Sequence, residues 1–209
     1  MGVMPAGLTR KKSDHYHHGD LARAMLQAAV RTIQKHGIDA LTLRGVGDQL
    51  GVSRTALYRH FSSKQALLTA VATEGFRTLR TELFDAWDQG GRGRAGFDAM
   101  GVAYIQFAVR HPSHYRVMFS GGIRAADPQP GQDTDAFDVL LQAVIELQQQ
   151  WLVRRDDPHL LALYIWSVVH GVAMLALDGM LSSPGQTGQT GHLDALTTLA
   201  IARLTTGIR

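Results

Sequence analysis

The 209-residue chain contains no cysteine. That excludes a disulfide framework, a thiolate nucleophile and a thiolate-ligated metal, and it fits a reducing compartment. The marks of the common catalytic sites are also missing: no Gly-x-Ser-x-Gly, no phosphate-cradling glycine loop ending in Lys, no His-Glu-x-x-His and no dinucleotide-binding glycine pattern. Asp156 and Asp157 adjoin an expected helix start, where capping accounts for them. No alternating apolar–polar run is long enough for a strand, and the opening residues hold no apolar core of export-signal length. These absences lead to an expectation of an all-α, non-enzymatic, cytoplasmic chain without cofactor or metal.

Charge is scarce overall but uneven. The net value is +3, yet residues 1–68 hold ten Lys/Arg against four Asp/Glu, leaving eleven against fourteen in the remainder. A basic first third on a mildly acidic remainder suits a head that meets DNA and a body that does not.

That basic excess coincides with the most informative stretch, Thr42 to Lys64. Leu43, Val46 and Leu50 recur at helical spacing, Gly51-Val52-Ser53 interrupts, and Leu57 and Phe61 resume. Gly51 suits a left-handed cap and Ser53 suits an N-cap. Two short helices joined by a tight glycine-containing turn form a helix-turn-helix, whose second helix enters the major groove. That second helix, Arg54 to His60, surrounds one inward Leu57 with Arg54, Thr55, Tyr58, Arg59 and His60. It has little to bury and much to donate. Arg54, Thr55, Ala56 and Arg59 are the expected base readers, because Arg can grip guanine bidentately and the Thr or Ala methyl can touch a thymine methyl.

Thr42-Leu43-Arg44, Leu50-Gly51-Val52-Ser53 and Leu57-Tyr58-Arg59-His60-Phe61-x-Ser63-Lys64 resemble the DNA-binding signature of tetracycline-repressor-type (TetR-family) regulators. Tyr16-His17-His18-Gly19-Asp20-Leu21 resembles the start of the first helix in one branch, and Trp166-x-x-x-His170-Gly171 resembles the Trp-His-Gly motif of one C-terminal type. Gly47 departs from the family's usual Ala, and with Gly45 it puts two helix-weakening residues in one short helix. The resemblance implies a repressor that leaves a palindromic double-stranded operator on binding a small, largely apolar effector. It also implies phosphate contacts from Thr42, Arg44, Ser53, Tyr58, His60 and Lys64. The alternative is a ligand-independent DNA-binding adaptor or architectural protein with the same head.

In chain order, residues 1–18 read as a flexible arm carrying Arg10-Lys11-Lys12; His15, His17 and His18 lack the Cys or carboxylate partner that would specify a metal. Residues 19–66 form the three-helix reader, and 67–209 the ligand-binding and dimerisation bundle, about nine helices in all. The first helix spans Asp20 to His36. A capping box of Ser62 and Gln65 opens the fourth, which runs to about Trp87 and ends in a flexible Gln89–Arg94. Helices follow over Phe97–His111, Pro112–Phe119, Thr134–Arg154, Pro158–Met180 and Leu193–Leu204. Gly/Pro-rich Ser120–Asp133 and the repetitive Ser182–Gly191 separate them. Leu160–Leu177 is nearly apolar throughout and just long enough to raise a membrane span, but Ser167, His170 and Gly171 interrupt it, and burial in a bundle or dimer is expected instead. The family resemblance implies a homodimer through the last two helices, whose apolar Leu193, Leu196, Leu199, Ala200 and Ile201 agree. An elongated apolar cavity is expected among Met100, Tyr104, Phe107, Tyr115, Met118, Phe119, Trp166, His170 and Met174, with His170 or Tyr104 as its polar fixture.

Overall fold

The computed structural model describes residues 18–120, 136–181 and 189–207, with side chains left out at 18–20, 189–191 and 205–207. The N-terminal arm with its basic run, and most of the two expected connectors, lie outside these residues. Among the described residues there are nine helices and no strand. The all-α expectation holds.

Three helices build the head: α1 (His18–His36), α2 (Leu43–Leu50) and α3 (Arg54–His60). Gly37, at φ 81, ends α1 in the left-handed region that favours glycine. Thr42 caps α2, its hydroxyl oxygen accepting from the Gly45 amide. Gly51, at φ 66, turns the chain, and Ser53 caps α3 by accepting from the Ala56 amide. Met25, Ala29 and Ile33 of α1, Leu43 and Val46 of α2 and Leu57 of α3 are all buried in one apolar core.

Gly47 has a positive role that its low helix propensity concealed. It is buried, and a Cβ there would drive into the Leu57 side chain. The missing side chain is what lets α3 close on α2.

The long α4 (Lys64–Gln89) leaves the head and forms one wall of the body. Its N-cap is Ser63, whose hydroxyl accepts from the Ala66 amide at 3.1 Å, not the expected Ser62. The expected flexible Gln89–Arg94 is a compact turn. Gly91 takes φ 78, Gly90 touches the Gly96 backbone, and α5 (Arg94–Arg110) already begins there. Backbone meets backbone at that turn, so the glycines serve packing.

Short α6 (Pro112–Met118) lies across α4 and also touches α1. Helices α7 (Ala136–Gln149), α8 (Pro158–Leu177) and α9 (Gln189–Gly207) complete the body, with α5 central against α8 and α9. Helix α7 stops five residues before the expected Arg154: Trp151 takes φ 58, and the Leu152 amide closes the end onto Leu147 O. Helix α8 ends at Leu177, three residues before the expected Met180, with Gly179 at φ 70 turning the chain away. Helix α9 reaches back to Gln189, so the end of the repetitive connector belongs to it. One connected apolar core runs from Leu21 in α1 to Leu204 in α9.

Candidate functional site

On the head, Leu57 is 2 % exposed while Tyr58 is 47 % exposed, so α3 is pinned by one residue and turns its flanks outward. Arg54, Thr55 and Arg59 are exposed; Ala56 and His60 are half-buried. The Arg54 guanidinium lies 5.5 Å from the Tyr58 ring centroid, which holds the first residue of the helix against its own surface. Arg44 on α2 is almost fully exposed, with Asp48 at 3.9 Å. Thr42 and Ser53 spend an oxygen lone pair on their caps, which leaves the O–H proton of each for an acceptor outside the protein. Half-buried Lys64 donates to Asp39 O at 3.2 Å, so it also ties the start of α4 to the turn after α1. The ten residues expected at DNA therefore sit on α2, α3 and their caps, with Lys64 at the root of α4.

The body holds a second concentration of chemistry. From α8, the Trp166 Nε1–H donates to Tyr104 Oη of α5 at 2.9 Å. Tyr104 Oη lies 3.0 Å from Tyr115 Oη of α6 and 3.0 Å from His170 Nδ1 of α8, and Tyr115 Oη lies 2.7 Å from the same nitrogen. Phe119 meets the His170 ring edge-on at 4.6 Å and reaches Phe76 of α4 at 5.6 Å. Burial pushes the Tyr104 phenol up to about 12 and the Tyr115 phenol higher still. Burial also depresses the His170 imidazole below its usual value. All three groups are neutral at physiological pH.

Beside this cluster lies a cavity of about 50 Å³. Met100, Tyr104 and Trp166 line it, together with aliphatic and aromatic side chains of α4, α5, α7, α8 and α9 such as Phe97, Phe137, Ile165 and Ile201. The other six residues expected there do not. Phe107, Tyr115 and Met118 are sealed in the core, and Phe119, His170 and Met174 are half-buried in packing around the cluster. The elongated cavity expected from sequence is thus corrected: the aromatic side chains pack on one another and leave a small void. Sequence reasoning missed the walls supplied by α7 and α9, Phe137, Leu140, Ile201 and Leu204, because ordinary core spacing gives no sign of a gap.

A short, outward-facing helix held on a glycine turn, and an all-helical body with a sealed aromatic cluster, define a transcriptional regulator with a helix-turn-helix head. Residues 25–71 match the family model for bacterial regulatory proteins of the tetR family, and residues 97–204 match the model for a tetracyclin repressor-like C-terminal domain. The chain belongs to the TetR family. It is 27 % identical over 188 residues to an uncharacterised HTH-type transcriptional regulator of Mycobacterium tuberculosis, covering 88 % of this chain and 80 % of that protein. A stretch of 48 residues is 44 % identical to the class A tetracycline repressor protein from transposon 1721 of Escherichia coli, 23 % of this chain and 22 % of that one. Among solved structures, a protein of unknown function from Rhodococcus sp. RHA1 superposes with a TM-score of 0.78 at 32 % identity, over 93 % of this chain and 98 % of that chain. A bacterial regulatory protein in the tetR family from Rhodococcus RHA1, 18 % identical, shares the fold at a TM-score of 0.65 over 88 % and 96 %.

Proposed function

We propose that the chain is a homodimeric, cytoplasmic repressor that holds a palindromic operator through α3 and releases it when a small, largely apolar molecule enters the body. The observation that carries the DNA reading is α3 itself. It is a seven-residue helix with one buried anchor, Leu57, and with Arg54, Thr55, Tyr58 and Arg59 left for a partner. Arg54, Thr55, Ala56 and Arg59 read bases in this scheme, while Thr42, Arg44, Ser53, Tyr58, His60 and Lys64 hold phosphates. Residues 1–18 act as the arm, 19–66 as the reader and 67–209 as the sensing and dimerising body.

Helix α8 supports the dimer. It is long and apolar enough to cross a membrane, yet it packs on α5, α7 and α9, and only 33 % of its apolar stretch is buried within one chain. Leu160, Leu163, Tyr164 and Leu175 of α8 and Leu199 of α9 are left exposed. A second copy on this face would cover them and present two α3 helices about 34–36 Å apart, one turn of the duplex. Ligand in the body would favour an arrangement in which α4 carries the heads out of register, and affinity for DNA falls by the same coupling.

Duplexes selected from a random pool test the reading. They should share an inverted repeat with half-sites one helical turn apart; a pool without a repeat overturns the dimeric-operator scheme. The cavity favours the second reading, a ligand-independent DNA-binding adaptor, because about 50 Å³ is below the volume of an ordinary small-molecule site. A melting screen separates the two: the sensor gains stability with some small molecule and loses DNA with it, whereas the adaptor does neither.

A further inference from the structure

Tyr104 and Trp166 are the two described residues that belong both to the cavity wall and to the hydrogen-bonded cluster beside it. The protons of that cluster can be counted. Trp166 only donates, and each tyrosine hydroxyl has one proton to give. The shortest contact, 2.7 Å, assigns the Tyr115 proton to His170 Nδ1, and Tyr104 then donates to Tyr115. The other workable order, Tyr115 to Tyr104 to Nδ1, also ends on that nitrogen. A proton on Nδ1 instead would strand one buried hydroxyl hydrogen without an acceptor. In both workable orders the indole N–H comes in from outside the chain of hydroxyls, so removing it leaves every hydroxyl proton placed.

The consequence concerns what the cavity can recognise. A guest that accepts a hydrogen bond can take the Trp166 N–H at small cost to the cluster. A guest that must donate finds only the Tyr104 oxygen, where Trp166 already takes one lone pair and, in the second order, Tyr115 takes the other. No described residue of the wall carries a charge, so an ionised guest would be desolvated without a counter-ion. Room must come from side-chain movement, and unbranched Met100 is the wall residue best able to yield.

We propose that the effector is an apolar molecule with a single neutral hydrogen-bond acceptor, such as a ketone, aldehyde or ester oxygen, which takes the Trp166 N–H from Tyr104. Carboxylates and amines are refused. This rests on the sensor reading above, and it makes Trp166 the specificity-determining residue of that site.

Four benzene derivatives of similar size test it on the full chain: ethylbenzene, acetophenone, benzoate and benzylamine, with affinities measured by calorimetry and by melting shift. Because the guest takes over a bond that Tyr104 already holds, acetophenone should bind more tightly than ethylbenzene by about twofold to threefold, less than one full net hydrogen bond would give, and the two ions should not register. Trp166→Phe should erase the acetophenone advantage and keep ethylbenzene binding. Tyr104→Phe, which frees the indole N–H, should enlarge the advantage and keeps the test alive if the first variant does not fold. Ethylbenzene equal to acetophenone, or benzoate or benzylamine ahead of both, overturns the acceptor assignment and leaves the cavity as a ligand site. Failure of all four, in the native chain and in Met100→Ala with its enlarged cavity, overturns the sensor reading and this proposal with it.

Discussion

Gly75 of α4 lies directly beneath Met118 of α6: a Cβ at position 75 would come within 2.5 Å of the Met118 sulfur and 3.2 Å of His114 Cβ. This is where the body grips the helix that leads to the head. Gly75→Ala would add up to about 1 kcal/mol of helix propensity but overpack the seam by roughly 1–3 kcal/mol. A net loss of thermal stability is expected, with α6 displaced. A melting temperature at or above that of the native chain would mean that Met118 swings aside freely and that the α4–α6 contact is loose.

The reader makes a paired prediction. Arg54→Ala should lower affinity for selected operator DNA by about 1–3 kcal/mol and leave binding to scrambled DNA nearly intact. Lys64→Ala should weaken both equally and flatten the salt dependence. Because Lys64 also holds Asp39 O, that variant should lose some thermal stability, which Arg54→Ala should not. Titrations in which the two variants behave alike on both DNAs would refute the division between base and phosphate contacts.

Leu199 tests the dimer. It is 52 % exposed in a single chain, so Leu199→Asp should leave each protomer folded and put a charge into the α8–α9 face. Sedimentation should report monomer, with operator affinity collapsing because one head supplies half the contacts. A folded variant that still sediments as a dimer moves the interface elsewhere.

The pH dependence has a definite sign. Burial depresses His170, and His111 is depressed first by burial, with Glu82 opposing and His114 and Arg110 adding. A histidine whose folded value lies below its unfolded 6.5 binds fewer protons folded than unfolded, so these two contribute full stability above about pH 6.5. That contribution is lost as pH falls from there through the folded values. Melting temperature should therefore drop between pH 7.5 and pH 5.5, and less steeply in His170→Gln. An equal drop in both would remove His170 as a source.

Much of this was legible in the sequence because local chemistry decides it. Thr42, Gly51 and Ser53 are capping residues, and the helices they bound fall where the caps require. The misplacements have a common cause. Trp151 adopts a left-handed conformation that favours glycine, so nothing in its identity announced the end of α7. Ser62 and Ser63 are equally good caps by type, and it is the Ser63 hydroxyl that accepts from the Ala66 amide. The cavity shows the deeper limit. The hydrogen-bonded pairs among Tyr104, Tyr115, Trp166 and His170 are 11 to 66 residues apart, so their aromatic character was visible but not the way they fill one another's space.

The three tryptophans occupy three different surroundings. Trp87 is sealed at the far end of α4, Trp166 forms the wall of the void, and Trp151 is 75 % exposed beneath the Arg155 guanidinium. Their emission should therefore separate without any label. Iodide will quench Trp151 alone, and what survives comes from the body's interior. In that residual signal Trp87 follows the core alone, while Trp166 changes also when something takes its N–H or the space beside it. The chain thus carries its own optical readout of occupancy, distinct from that of unfolding.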